Sequence, residues 1–274
     1  MSSPSGIREP AVAGRFYPAS PAALQRALEG LLAHSSPPAS GRPALLAVVP
    51  HAGYVYSGRI AGATFARIDV PRHVVVLCPN HTGLGRPRAL WSRGAWRTPL
   101  GEVEVAEDLA ACLQRHAGLD DDELAHLREH AIEVELPFLQ HREPQVRIAP
   151  LCLQRASLDE CLELGAALAE GIRAFGERVL IVCSTDMSHY VRAELAAELD
   201  RLALDQIEAL NPPALYRTVI ERRISMCGFI PTTVGLSAAR ALGAAHVELV
   251  QYGNSGETSG DFERVVGYAG ALIS

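Results

Sequence analysis

The chain has 274 residues, of which 48% are apolar and 20% are charged, and its formal net charge is −6. This composition is ordinary for a globular fold, and the acidic balance excludes a basic surface for nucleic acid or anionic lipid. All 25 basic residues are arginine. The lack of lysine excludes chemistry that depends on a Schiff-base lysine, a Walker lysine or a lysine general base.

The cysteines and the apolar runs bear on the compartment. Six cysteines are scattered without a Cys-x-x-Cys pair, which is typical of a protein in a reducing environment. The first residues lack the pattern of a secretion signal, and no apolar run reaches the ~18 residues of a membrane span. We therefore expect a cytoplasmic protein, and from the length we expect residues 1–274 to form a single domain.

Apolar runs alternate with helical patterns along the chain. The runs are rich in valine, isoleucine and leucine and mostly continuous, which is typical of strands buried on both faces. Strands are predicted at Ala44–Val49, Val74–Cys78, Val146–Cys152, Val179–Cys183, His246–Tyr252 and Val265–Leu272. Helices are predicted at Pro21–Ala33, Ser57–Arg67, Ala106–Arg115, Ser157–Phe175, Arg192–Glu208 and Thr232–Leu242. This alternation predicts an α/β fold, a single-domain αβα sandwich with a mostly parallel central sheet.

Three stretches do not follow this alternation. Ser35–Pro43 is a loop by its content of serine, proline and glycine. Gly83–Arg97 is irregular and holds both tryptophans of the chain, and we expect a hairpin or a flap there. Arg128–Gln140 has a helical pattern that its proline is expected to break.

Two histidines directly follow predicted strands. His51 follows the first strand, and His81 follows the second in the sequence Pro79-Asn80-His81. Parallel sheets bind ligands beyond the carboxyl ends of their strands, and the two histidines are thirty positions apart (81 − 51), or one βα unit. We expect both imidazoles at the tips of neighbouring strands, where they can hold one divalent metal. The alternative is that each is a loop histidine hydrogen-bonded to backbone.

A metal held by two histidines needs a further ligand. The candidates are Asp186, His189, Glu133, Glu135, His130 and Cys227. Cys227 precedes a glycine and a predicted helix start, where a thiol has a lowered pKa and is a better ligand or nucleophile. The alternative for Cys227 is a small buried hydrophobic residue. The signatures of zincin metalloproteases, α/β-hydrolases, P-loop NTPases and Rossmann enzymes are absent from the sequence.

Seven segments occur in an order that resembles one known family. They are VAGRFYP (Val12–Pro18), VVPHAGYVYSG (Val48–Gly58), LCPNHTG (Leu77–Gly83), EHAIEVELPFLQ (Glu129–Gln140), STDMSHY (Ser184–Tyr190), MCG (Met226–Gly228) and QYGNSGE (Gln251–Glu257). From about Ile7 onward the chain resembles the Memo family, whose bacterial and archaeal members are called AmmeMemoRadiSam system protein B. That family is similar in fold to the class III extradiol (LigB-like) dioxygenases, which hold ferrous iron with two histidines and a glutamate.

The resemblance implies a set of site residues. Matched motif by motif, it implies His51 and His81 as metal ligands, with Cys227 at the third position in place of the dioxygenase carboxylate. It implies His189 as the catalytic histidine, with Asp186 beside it.

The resemblance also implies the surroundings of this site. His130 and Glu133, three positions apart, are expected near the metal, behind its ligands; the alternative is a pair on a helix surface. Iron or copper is the expected metal, and zinc also suits a site with a thiolate. The name of the bacterial members implies an AMMECR-type protein and a radical-SAM enzyme as partners.

Three functions follow, in this order. The first is a metal-binding redox protein with a His/His/Cys site. The second is a non-haem iron dioxygenase for a small aromatic-type substrate, although an oxidisable thiolate is an unfavourable ligand for an oxygen-activating iron. The third is a non-enzymatic module that binds a peptide or partner protein in the old pocket, with the stretch around Trp91 and Trp96 as a flap.

Overall fold

The uninterrupted aliphatic runs form the strands of one sheet. A computed structural model describes residues 6–33 and 43–274, so the predicted loop at 35–43 lies, except for its last residue, outside the described residues. The strands are β1 (Ile7–Arg8), β2 (Leu46–Val49), β3 (His73–Pro79), β4 (Arg88–Leu90), β5 (Ala95–Thr98), β6 (Gly101–Val105), β7 (Asp120–Asp121), β8 (Arg147–Leu153), β9 (Val179–Ser184), β10 (His189–Val191), β11 (Val247–Asn254) and β12 (Val265–Ile273). All six predicted strands are present within two residues of their expected bounds.

The sheet is parallel at its centre and antiparallel at its margins. Its order is β1-β5-β6-β8-β3-β9-β2-β12-β10, with β11 paired to β12 and β4 paired to β7 and β8. The five neighbouring strands from β6 to β2 are parallel, so their carboxyl ends share one edge. Because β9 lies between β2 and β3, the prediction that His51 and His81 follow neighbouring strands is wrong. The end of β9, at Ser184, comes between them.

Helices cover both faces of the sheet. They are α1 (Pro21–Leu32), α2 (Tyr54–Ala66), α3 (Glu107–Ala117), α4 (Leu136–Arg142), α5 (Leu158–Phe175), α6 (Ala193–Glu208), α7 (Pro212–Glu221), α8 (Phe229–Ala241) and the single turn α9 (Gly256–Ser259). The six predicted helices are present with ends shifted by up to three residues. None of the helices in the described part of the chain is long and apolar enough to cross a membrane.

The core consists of two layers, one on each face of the sheet. Alternate residues of each central strand point to opposite layers: Val75 and Leu77 of β3 join one, and Val74 and Val76 join the other. Helices α3, α5, α6, α7 and α8 pack on the first layer, and α1, α2 and α4 pack on the second. This arrangement is the expected αβα sandwich, and it explains why every residue of β2, β3 and β9 is buried.

The segment 128–140 differs from the expected broken helix. It is irregular up to Ile132, forms one 3₁₀ turn at Glu133–Glu135 and then enters α4, where Pro137 lies in the first turn. Proline suits this position because the N–H that it lacks has no helical partner there. Pro137 therefore begins a helix instead of interrupting one, and His130 lies in the irregular part.

The stretch Gly83–Arg97 belongs to the sheet and is not a surface flap. It contains β4 and most of β5, and β5 forms a hairpin with β6. Trp91 and Trp96 are both 0% exposed, and the guanidinium of Arg8 lies 4.2 Å from the ring centroid of Trp96. The tryptophans therefore stabilise the core and offer no surface to a partner.

Candidate metal site

Three histidines meet at the carboxyl edge of the parallel strands. His51 follows β2, His81 follows β3, and His130 comes from the irregular segment before α4. One ring nitrogen of each lies within 4.8 Å of those of the other two. Among the described residues, this is the one group of three or more His, Cys, Asp and Glu side chains that are close enough to share a metal ion.

His51 is fixed at three points. Its backbone N–H donates to Asp186 Oδ1 at 2.9 Å, its Nδ1 lies 2.8 Å from Ser184 Oγ, and its Nε2 lies 3.4 Å from Cys227 Sγ. Burial, and then the neighbouring His81, lower the pKa of His51 to about 3. The imidazole is therefore neutral at pH 7, as a metal ligand must be.

Glu129 holds His81 from two sides. Its Oε2 accepts the backbone N–H of His81 at 2.6 Å, and its Oε1 lies 2.9 Å from the ring Nδ1. Burial alone would raise the pKa of Glu129, but the hydrogen bond and charge of His81 outweigh burial and lower that pKa to about 2. Burial alone would lower the pKa of His81, but Glu129 outweighs it and raises that pKa. A carboxylate on Nδ1 leaves Nε2 free to bind and makes it a stronger donor.

His130 is oriented by its own backbone and by ring packing. Its N–H donates to Glu129 Oε1 at 2.8 Å, its ring stacks on His81 with centroids 4.7 Å apart, and Phe16 lies 4.9 Å away. Burial, and then His51, lower the pKa of His130 to about 4. We predicted His130 behind the ligands; the structure places its ring within the three-histidine group.

Cys227 lies beside this group without belonging to it. Its Sγ is 3.4 Å from His51 Nε2 and accepts the backbone N–H of Asp186 at 3.3 Å. Helix α8 begins two residues later at Phe229, so the thiol does lie near a helix start. The predicted lowering of its pKa is nevertheless wrong, because burial, and then Asp186, raise the pKa of the Cys227 thiol. The thiol could ligate a metal only by losing its proton.

Asp186 and His189 lie between the end of β9 and the start of β10. Burial raises the pKa of Asp186, whose carboxylate accepts the backbone N–H of His51. His189 Nδ1 lies 2.9 Å from the carbonyl oxygen of Ser225, which can only accept, so Nδ1 carries the proton and Nε2 keeps its lone pair. His189 lies outside the three-histidine group, although its charge affects the pKa of both His51 and Asp186.

Glu133 performs a different task from the one expected. Its carboxylate forms a buried ion pair with Arg8 at 2.7 Å and accepts the hydroxyl of Tyr17 at 2.6 Å. It also accepts the backbone N–H groups of Ala11 and Val12. Both oxygens are thus bonded to residues 8–17, and Glu133 anchors the N-terminal segment to the segment that carries His130.

Sequence reasoning missed Glu129 and Ser184, the partners of His81 and His51. Glu129 has a signal in the sequence, because a carboxylate next to a histidine in an otherwise apolar segment needs a partner once it is buried. Ser184 has none until the position of β9 is known. Glu135, one of the candidates for the third ligand, lies behind Ser184 and contacts that serine and no histidine.

A cavity of about 680 Å³ opens beside Cys227. Its walls include the rings of Tyr216 and Phe229, which lie 5.5 Å apart, and the side chain of Arg155. Its volume is in the range of small-molecule sites. A ligand in this cavity would lie next to the thiol.

Fold and site together define an α/β protein with a histidine cluster at the carboxyl edge of its sheet. Residues 8–272 match the model of the family described as Memo-like protein, and the chain belongs to that family. It is 41% identical over 268 residues to a MEMO1 family protein of Aquifex aeolicus, covering 97% of this chain and 99% of the relative. Identity to a MEMO1 family protein of Methanosarcina barkeri is 42% over 272 residues, covering 97% and 100% of the two chains. The predicted resemblance is confirmed.

Proposed function

We propose that this protein binds a transition metal and that the metal carries a redox function. The observation behind the proposal is the three-histidine group, with nitrogens within 4.8 Å of one another at the carboxyl edge of the sheet. Two of the rings have a fixed partner on their other nitrogen, Ser184 for His51 and Glu129 for His81. Such partners are typical of metal-ligating histidines, because they set the tautomer and the ring orientation.

The donor atoms suit iron, copper or zinc. His51, His81 and His130 would hold the ion, since imidazole is a ligand for all three metals, and Cys227 would add a softer donor that favours copper(I) or zinc. A bound iron or copper ion would supply one-electron chemistry. The contribution of the chain is to orient the ligands and to present His189, whose unprotonated Nε2 can accept a proton.

Metal analysis of histidine variants tests the proposal. We expect protein purified without chelator or affinity tag to carry about one iron or copper ion per chain, and His130→Ala to lose it. The matched control is His246→Ala, because His246 is exposed and precedes β11 at the opposite edge of the sheet. No metal in the parent after anaerobic reconstitution, or equal metal in parent and His130→Ala, would overturn the proposal.

Cys227→Ala distinguishes the three-histidine donor set from the His/His/Cys set expected from the family resemblance. If the thiolate is a ligand, we expect metal affinity to fall by ~10-fold or more and a thiolate-to-copper(II) absorption band to disappear. If the histidines alone hold the ion, affinity changes by less than about threefold. His130→Ala gives the opposite pattern in the two cases.

A dioxygenase is the second candidate, and the cavity beside Cys227 favours it. The cavity of about 680 Å³ can accept a small aromatic molecule, and His189 is held as a base by Ser225. Oxygen uptake by the ferrous protein with a panel of catechols tests this function. Turnover that His189→Ala abolishes would support it, and no uptake by metal-loaded protein with any catechol would count against it.

A further inference from the structure

Glu135 is a buried acid with an unusual lack of partners. It lies in the 3₁₀ turn before α4 and is 0% exposed. Its Oε1 lies 2.8 Å from Ser184 Oγ, and its Oε2 has no hydrogen-bond partner among the described residues. The charged or titratable groups that act on it or feel it are Asp186, after β9, and Tyr54, on α2. Neither is a cation, so nothing there compensates a negative charge.

The hydrogen bonds of Ser184 show which atoms carry protons. Its Oγ has three neighbours at 2.8 Å: the carbonyl oxygen of Ala131, Oε1 of Glu135 and Nδ1 of His51. Two oxygens at this distance need a proton between them, and a carbonyl can only accept. The single proton of Ser184 therefore goes to Ala131.

The remaining two neighbours must then donate to Ser184. Glu135 can donate only as a carboxylic acid, and His51 can donate only with its proton on Nδ1. The alternative is that Ser184 donates to an ionised Glu135. That arrangement leaves the Ala131 carbonyl facing an oxygen without a proton and leaves a buried charge uncompensated, which is costly.

We infer that Glu135 is a neutral carboxylic acid that acts through Ser184 as a positioning residue for His51. The chain Glu135–Ser184–His51 places the proton of His51 on Nδ1. It keeps the lone pair of Nε2 on the side of Cys227, whose Sγ lies 3.4 Å away. The consequence for metal binding rests on the proposed function, whereas the protonation state of Glu135 does not.

Infrared difference spectroscopy on metal-free protein tests the protonation state. At pH 7 we expect the parent to show a carboxylic-acid C=O band that Glu135→Gln lacks and that shifts after refolding in D₂O. The matched control is Glu170→Gln, an exposed glutamate, which should lose only carboxylate bands. Loss of carboxylate bands in Glu135→Gln, with no acid band lost, would overturn the inference. Circular dichroism checks that both variants are folded.

Rescue by the conservative variant tests the positioning role. The amide of glutamine can donate to Ser184 as the acid does, whereas alanine cannot. We expect the nitrogen-15 spectrum of His51 to show the Nδ1–H tautomer in the parent and in Glu135→Gln, and a mixture of tautomers in Glu135→Ala. A tautomer unchanged in Glu135→Ala would refute the role.

Metal affinity separates a failure of this inference from a failure of the proposed function. We expect Glu135→Ala to lower copper or iron affinity by ~10-fold and Glu135→Gln to restore it. An acid band together with the tautomer shift, but no metal in any form, upholds the inference and refutes metal binding. Metal binding without the acid band upholds the proposed function and refutes the inference.

Discussion

Glu129 and Glu135 are six positions apart and both fully buried, yet their carboxyl groups are in opposite states. Glu129 accepts two hydrogen bonds from His81 and further ones from the backbone N–H groups of His130 and Ala131. Its pKa falls to about 2, because the pairing with His81 outweighs burial. Glu135 has one hydroxyl as its hydrogen-bond partner, and burial raises its pKa well above the ordinary value.

This comparison shows that burial alone does not decide the charge of a carboxyl group. Burial penalises both carboxylates, so the difference lies in the number of donors that each one meets. The two acids therefore support two histidines in different ways. Ionised Glu129 contacts His81 directly and raises its pKa, whereas neutral Glu135 reaches His51 through Ser184 and leaves the pKa of His51 low.

The largest effect is expected from removing the charge of Glu129. Glu129→Gln replaces one acceptor oxygen by an N–H group that faces N–H donors of His81 or His130. We expect the free energy of unfolding to fall by about 3 to 5 kcal/mol, as when one member of a buried charged pair is removed. Urea denaturation at pH 7 measures the change. A loss no larger than that of Glu135→Gln would mean that the two carboxyl groups do not differ in charge.

Glu135→Gln is expected to change how stability depends on pH. In the unfolded chain this acid ionises near its ordinary pKa of about 4.5, whereas in the folded chain its pKa is raised. Above pH ~4.5 the folded state therefore binds more protons, and this group lowers stability as pH rises, by about 1.4 kcal/mol per unit up to its folded pKa. Glutamine lacks this penalty, so the variant should gain stability relative to the parent between pH 5 and 8.

The slope of the difference is the quantity to measure. Urea titrations of parent and Glu135→Gln at four or more pH values give it, and effects of other buried acids such as Asp200 cancel in the difference. The second N–H of the glutamine amide adds an offset that does not vary with pH. A difference that is flat between pH 5 and 8 would show that residue 135 has the same charge in the folded and unfolded chains.

The sequence predicts the strands of this fold better than the partners of its histidines. Continuous aliphatic runs locate β2 and β3, and His51 and His81 follow from the rule that sites lie beyond carboxyl ends. Strand order depends on packing between distant segments, so the position of β9, and with it Ser184, could not be derived.

The irregular segment before α4 was the harder part to predict. It lacks the period of a helix or strand, so the position of His130 was not accessible from pattern. The interpretation of Glu133 failed for a related reason. Its partner Arg8 lies 125 positions away in the sequence, and no local pattern reports such a contact. Glu129 was the accessible miss, because its neighbour His130 was already a candidate.

The smallest effect is expected at His130, whose ring is held by packing more than by a hydrogen-bonded chain. Phe16→Leu removes the aromatic ring that lies 4.9 Å from the ring of His130 and keeps an apolar side chain in its place. We expect a loss of about 0.5 to 1 kcal/mol in unfolding free energy, the size of one aromatic contact. Metal affinity should change by less than about threefold, because Glu129 still holds His81 and the backbone of His130. A tenfold loss of affinity in Phe16→Leu would show instead that ring packing, and not Glu129, sets the orientation of His130.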